Sequence, residues 1–251
     1  MSALKVLSYN IHKGFDTGNQ NFVLDKTKES IQLVHADIVF LQEVIGAHDG
    51  HAENLKSWPS EPQFEFLADQ IWPHFAYGKN AIYSQGHHGN AILSKFPIIS
   101  WSNIDISTNA FELRGLLHAV IELPGILRPL HCICVHLNIF QTGRRVQLER
   151  ICERILAMVP DQEPLIIAGD FNDWSTRASQ ILAGRINVKE TFNHLTGKHA
   201  RSFPSLFPLL CLDRIYYRGL TPVAAHVLRD KPWSQLSDHA ALYAELEVAA
   251  Q

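Results

Sequence analysis

Short apolar runs, most of them bounded by Gly, Pro or Asn, recur along this chain and set its organisation. Runs at 4–11 (LKVLSYNI), 37–42 (DIVFLQ), 90–94 (NAILS), 115–123 (GLLHAVIEL) and 129–138 (PLHCICVHLN) have the length of strands. Four more follow at 164–169 (PLIIAG), 212–217 (LDRIYY), 222–228 (PVAAHVL) and 239–248 (HAALYAELEV). A different period marks 142–159, where Leu148, Ile151, Cys152, Ile155, Leu156 and Val159 recur at helical spacing opposite a charged side. Weaker helical patterns cover 23–36 and 64–72. Strands outnumber helices and do not alternate strictly with them. That predicts an α+β layered fold with much antiparallel pairing, not a purely parallel sheet. Stretches 44–62 and 193–211 read as long loops, and loops of that length are often functional. No linker, repeat or low-complexity tract interrupts the pattern, so a single domain over 1–251 is expected.

Composition narrows the classes. The 251 residues are 46% hydrophobic and 19% charged, which suits a well-packed soluble chain. A net charge of −3 disfavours a protein whose main task is to grip bulk nucleic acid, because such surfaces are basic. Four cysteines, Cys132, Cys134, Cys152 and Cys211, form no CxxC pair and read as reduced core thiols rather than zinc ligands. The N-terminus lacks a charged leader followed by an apolar stretch, and no segment reaches roughly 18 apolar residues. A cytoplasmic monomer without a membrane segment is the expectation.

The strands share a feature that packing does not need: each of six carries an acid, amide or imidazole at one tip. VLSYN ends in Asn10 and IVFLQE in Glu43; HCICVHLN ends in His136 and Asn138; LIIAGDFND ends in Asp170, Asn172 and Asp173. LDRIYY begins with Asp213, and SDHAAL begins with Asp238 and His239. One such tip is an ordinary turn residue. Six of them, all of ligand or acid–base type, point to one site built on sheet edges. Residues two apart on an extended strand share a face, so Asp170 with Asn172, and His136 with Asn138, are expected to point together. Adjacent Asp238 and His239 are expected to face opposite ways. Hard oxygen donors without thiolates favour Mg²⁺, or Mn²⁺, over zinc. An Asp–His pair suits a base whose ring is oriented by a carboxylate.

The ordered series SYNIH, LQEV, HGNAILS, LRG, HLN, GDFND, LDRIYY and SDHAAL resembles the endonuclease/exonuclease/phosphatase superfamily from Lys5 to about Glu247. The resemblance implies a four-layer α/β/β/α sandwich, two mainly antiparallel mixed sheets flanked by helices, and Mg²⁺-dependent hydrolysis of phosphate esters. It implies that Glu43, Asn10 and Asp238 serve the metal, and that Asn10, Asn90, Arg114 and Asn138 contact substrate phosphate. It further implies catalytic roles for Asp170 and Asn172 at the attacking water, for His239 oriented by Asp213, and for His136 near the leaving oxygen. Whether Asp170 or His239 is the base stays open.

For the substrate, a small-molecule or lipid phosphodiester is the first expectation, favoured by the absence of basic excess and by the apolar loop FPSLFPLL (203–210) before Asp213. That loop reads equally as core packing. The alternative is a nuclease, with nucleic acid as partner; Arg144, Arg145, Arg150 and Arg154 on one helix would serve it, although such a cluster usually forms a solvated face. A non-catalytic scaffold is the third reading, disfavoured by the complete residue set. His48 and His51 read as ornaments of a solvated loop, His87 and His88 as exposed loop residues, and Trp174 as a lid on the core.

Overall fold

In the computed structural model, which describes residues 3–248, the apolar runs stand side by side in two sheets. The chain begins with β1 (Leu4–Asn10), a 3-10 turn (His12–Gly14), α1 (Leu24–Leu33), β2 (Ile38–His48), α2 (Asp49–Asn54) and α3 (Gln63–Ala68). Four strands follow: β3 (His74–Tyr83), β4 (Gly86–Ser94), β5 (Ile98–Asp105) and β6 (Gly115–Ile121). Next come β7 (Leu130–His136), α4 (Gln141–Met158), β8 (Leu165–Asp170), α5 (Arg177–Ile186), β9 (Lys189–Glu190) and α6 (Thr191–Thr196). The chain closes with β10 (Asp213–Arg218), β11 (Leu220–Leu228), α7 (Trp233–Leu236) and β12 (Ala241–Val248).

One sheet has the order β11-β12-β1-β2-β4-β3 and the other β5-β6-β7-β8-β10-β9. Each contains one parallel pair, β1 with β2 and β7 with β8, and each pair is joined through a helix, α1 or α4. A parallel neighbour cannot be reached by a tight turn, so each pair needs a long crossover, and here a helix supplies it. The remaining pairings are antiparallel.

Three apolar seams hold four layers together. Val6, Ile38, Phe40 and Ile92 meet Leu117, Cys132, Cys134, Ile166 and Ile215 between the sheets. The alternate residues Ile133, Val135 and Ile167 pack against Leu148, Ile151 and Ile155 of α4 and Leu182 of α5. Leu7, Val39, Leu41 and Leu93 pack against Leu24 and Ile31 of α1, Leu67 of α3 and nearby Trp72. Both faces of the central strands are therefore covered, and their sequences read as continuous apolar runs. Each fully buried Leu, Ile or Phe contributes about 1.5–3 kcal/mol, so the strands are firm mounts for whatever their tips carry. The α/β/β/α sandwich agrees with expectation.

Several boundaries differ. The stretch 44–62 is not a loop throughout, since β2 runs on to His48 and α2 follows directly. The second predicted loop opens with most of α6. Strands β3 and β5 were not predicted because both are edge strands with many exposed positions, so neither shows the apolar run of a central strand. Helix α5 escaped notice as well; only Ala178, Leu182 and Ile186 are buried on it, a narrow stripe. Among the described residues no helix is long and apolar enough to cross a membrane.

Candidate active site

The parallel pairs point their carboxyl ends at one rim, where ligands commonly bind in open α/β sheets. Asn10 closes β1, and its amide Nδ2 donates to Glu43 Oε1 and to Asp170 Oδ2, both at 3.3 Å. Asp170 closes β8 and pairs in register with His136 at the end of β7 and with Asp213 at the start of β10. His136 Nε2 lies 3.4 Å and His239 Nε2 3.7 Å from Asp170 Oδ2. His239 Nδ1 is 2.9 Å from Asp213 Oδ2. Ser237 ties this group to β1, donating to the Asn10 carbonyl at 2.7 Å and accepting from the His239 N–H at 3.2 Å. Six chain segments thus meet around Asp170.

Local backbone explains how the tips are presented. Register slips between Leu41 and Val44 in the β2–β4 pairing, and Glu43 sits in this bulge with φ +57°. A glutamate in the left-handed region costs roughly 1–3 kcal/mol and persists only where surrounding structure enforces it. Gly169 precedes Asp170 with φ +143°, and a Cβ there would stand 1.9 Å from the Val135 carbonyl oxygen. Only glycine lets β7 and β8 approach so closely just before the acid. Arg214, 1% exposed, braces the same rim by donating to the carbonyls of Cys211, Asp213 and Asp173.

Burial and charge tune the group. Burial pushes the Asp170 carboxyl up to about 6, against the lowering influence of His239, while the charges of Asp213 and Glu43 add to the rise. Burial pulls the His239 imidazole down, but the carboxylates of Asp213 and Asp170 outweigh it and raise the ring to about 10. His136 is held well below its usual range, by burial first and then by the nearby positive charges of Arg114 and His239. Its contact with Asp170 is therefore that of a neutral imidazole beside a carboxylate.

The oxygen-rich donor set fits a hard divalent cation. Ligand atoms of Asp170, Asp213 and His239 lie within 4.8 Å of one another, and Glu43 adds a carboxylate across Asn10. Asp213 Oδ1 is buried without a hydrogen-bond partner. Because His239 Nδ1 is already engaged by Asp213, the carboxylates on either side of Asn10 are the better cation ligands.

Other expected residues stand apart from this hub. Asn172 does not continue the strand: its φ is +49°, its amide donates to the Leu137 carbonyl at 2.9 Å, and its N–H donates to Asp170 Oδ1. The shared face expected from strand alternation is thus replaced by a turn that grips Asp170. Asn138 is buried and used locally, accepting from the Phe140 N–H and donating to Thr108. Asn90 is buried between the sheets, donating to the carbonyls of Gly115 and Cys134. Arg114 pairs with Glu112 at 3.0 Å while its charge acts on His136 and His88. Asp238 lies 3.8 Å from His12 Nδ1; it and His239 precede β12 in a bend, so the alternation expected of adjacent strand positions does not apply to them. Asn10 presents its donor to the carboxylates, since its Oδ1 is taken by the His12 N–H.

Sequence reasoning passed over Lys13, whose Nζ is 3.9 Å from Glu43 Oε2, and read His88 as an exposed loop residue, whereas it is half-buried in β4 near Glu43, Lys13 and Arg114. The HKG turn after β1 was the available signal for Lys13. Trp174 is 57% exposed and stacked under the Arg144 guanidinium at 4.8 Å, so it is no lid on the core. The four arginines of α4 do not form a patch: Arg144 is buried, Arg150 and Arg154 bind Ser107 and Ser102, and Arg145 pairs with Glu149. In the 203–210 loop, Leu206, Phe207 and Leu209 are exposed, whereas the Phe203 ring meets His239 at 5.0 Å.

Comparison with known proteins shows the family and the fold. The model of the Endonuclease/Exonuclease/phosphatase family matches residues 7–239. The uncharacterized protein YbhP of Escherichia coli (strain K12) is 44% identical over 246 residues, covering 98% of this chain and 97% of its own length. Among solved structures, D. rerio TDP2 complexed with a single strand DNA product superposes with a TM-score of 0.72 at 20% identity, covering 99% of this chain and all of that one. The Bacteroides thetaiotaomicron mannosyl-6-phosphatase Bt3783 also gives 0.72, at 16% identity, over 97% of this chain and 99% of that one.

Proposed function

This chain belongs to the Endonuclease/Exonuclease/phosphatase family, and from that premise we propose that it is a metal-assisted phosphodiester hydrolase acting on a small molecule or lipid head group. The observation that carries the reading is the hub itself: one buried carboxylate, Asp170, contacted by Asn10, His136 and His239, with Asp213 orienting the last of these. A solvated turn would not gather two imidazoles and three carboxylates at a common rim.

In this reading Glu43 and Asp170, on either side of Asn10, would hold a magnesium ion, which would supply charge neutralisation at the phosphate; Asp238, beside His12, lies outside that pair. The protein's own groups do the rest. Asp170, gripped by the Asn172 N–H, faces the imidazole of His239, and the two together hold the proton that an attacking water gives up. Asp213 fixes His239 so that Nε2 points at Asp170. The neutral ring of His136 stands on the far side of Asp170 and is assigned to the leaving oxygen. Arg114 and Lys13 are assigned to the cationic rim that receives phosphate oxygens, whereas the amides of Asn10, Asn90 and Asn138 are engaged within the protein and hold the rim in place.

The relatives divide on substrate: one solved neighbour carries a DNA product and another is a sugar phosphatase by its printed name. The net charge of −3 and the dispersed arginines of α4 support a small substrate over a polymer. A screen with Mg²⁺ and with chelator across bis-p-nitrophenyl phosphate, glycerophosphodiesters, sphingomyelin, abasic DNA and plain duplex DNA tests this. Chelator-sensitive turnover of a small or lipid diester is expected. Abasic DNA turned over above all others would overturn the substrate assignment.

A further inference from the structure

On the Glu43 side of the centre, rings line the surface in an unbroken row. Phe22 stacks on Trp58 with centroids 5.0 Å apart and an interplanar angle of 30°. Trp58 meets His51 at 5.2 Å, and His51 lies flat on His48 at 3.7 Å and 26°. His48 turns against Tyr83 at 5.7 Å, and Tyr83 against His88 at 5.8 Å. The row is anchored at its middle, because His48 Nδ1 accepts the His51 N–H at 3.1 Å.

Core packing does not explain these rings. His48, His51, Trp58, Tyr83 and His88 are half-buried or exposed, and none belongs to the three apolar seams. They keep a side toward water while touching one another. The ring row and the acidic centre meet at Lys13, which lies 3.9 Å from Glu43 and whose charge reaches His51 and His88. Burial, with Lys13 next, holds His88 at about 4; burial, then His48, then Lys13, lowers His51. Both rings are therefore neutral near pH 7 and offer π-faces with polar edges instead of positive charge.

A row of aromatic faces with nitrogen and hydroxyl edges, next to a cationic rim, matches a ligand that carries a flat heteroaromatic group close to a phosphate. An acyl chain would leave the nitrogen and hydroxyl edges unpaired, and a sugar, which can also lie on a ring face, is told apart from a flat heterocycle by the ribose 5-phosphate arm of the test. We propose that His48, His51, Trp58 and Tyr83 form a specificity subsite that takes the planar heteroaromatic group, such as a nucleobase, of the phosphoester. This rests on the reading of the Glu43–His239 centre as a phosphoester hydrolase.

The test uses two esters with one leaving group, thymidine 5′-p-nitrophenyl phosphate and methyl p-nitrophenyl phosphate. Wild type is expected to favour the thymidine ester in kcat/KM by about tenfold, mostly through KM. Trp58→Ala and Tyr83→Ala are expected to bring the ratio of the two esters toward one. Partial misfolding lowers both rates together and leaves that ratio where it was. Equal handling of both esters by wild type, or an unchanged ratio in both variants, overturns the subsite. A binding arm is independent of turnover: thymidine 5′-monophosphate should shift the Trp58 indole N–H resonance, and ribose 5-phosphate should not. If neither ester is cleaved but this shift occurs, the hydrolase reading falls and the subsite stands. No base-specific shift overturns the subsite.

Discussion

Replacing Glu43 by Gln removes one negative charge from the rim and keeps the shape of the side chain. Glu43 and Asp170 share a single amide nitrogen, each 3.3 Å from it, so the two bonded oxygens are no more than twice that distance apart. Two carboxylates about 6 Å apart repel by roughly 2–3 kcal/mol at an effective dielectric near 20. The variant also loses the Lys13 pair at 3.9 Å, but that lysine is 43% exposed, and such pairs are worth about 1 kcal/mol at most. The metal-free variant should therefore be more stable than wild type by roughly 1 kcal/mol, a Tm increase of about 2–4 °C for a chain of this size. Magnesium should reverse the order. At a concentration near 100 times its Kd, a ligand adds about 2.7 kcal/mol to the form that binds it, or roughly 5–10 °C here. Glu43→Gln should lose most of that increment. Calorimetric scans with magnesium and with chelator measure all four states. An equal magnesium-induced shift in both proteins would refute the reasoning, as would a metal-free variant several kcal/mol less stable than wild type.

Three further outcomes follow from the same geometry. In the metal-free protein the His239 ring, raised to about 10, contributes stability that is complete below about pH 6.5 and lost as pH rises through 10. Asp213→Asn removes the carboxylate charge at 2.9 Å and should bring the midpoint down in a histidine NMR titration; a wild-type midpoint near 6.5 would contradict this. Arg214→Met leaves the Asp173 and Asp213 carbonyls without their buried donor and should cost about 2–4 kcal/mol in urea unfolding, with lower kcat; a neutral effect on both would show that the brace is dispensable. Gly169→Ala drives a methyl group into the Val135 carbonyl and should destabilise by more than about 3 kcal/mol, and a loss below 1 kcal/mol would be inconsistent with the β7–β8 contact.

The central strands were legible because both their faces are buried, which leaves nearly continuous apolar runs at Ile38–Leu41 and Leu165–Ala168. Their acidic and amide tips were legible for the same reason, since a polar residue directly after such a run stands out. Edge strands β3 and β5 show no such contrast. Backbone conformation was the larger gap. Nothing in GDFND says that Asn172 turns into the left-handed region and grips Asp170 instead of continuing beside it. Histidines were misjudged because exposure cannot be read from isolated letters: His48, His51 and His88, assigned to solvated loops, lie in one ring series ending beside Lys13. The arginines of α4, read as a solvated face more often than a patch, have Arg145 and Arg150 exposed; only Arg144, buried against the Asn138 and Ile139 carbonyls, departs from that reading.

Steady-state hydrolysis of bis-p-nitrophenyl phosphate by wild type and folded His239→Ala, with magnesium titrated from chelator-treated protein, probes the whole arrangement at once. The account predicts a wild-type rate that rises from background and saturates with magnesium, and a variant rate lower by at least about a hundredfold at every concentration. A wild-type rate indifferent to chelation, or a variant that keeps pace with wild type, would mean that the cluster around Asp170 is not where the ester is cleaved.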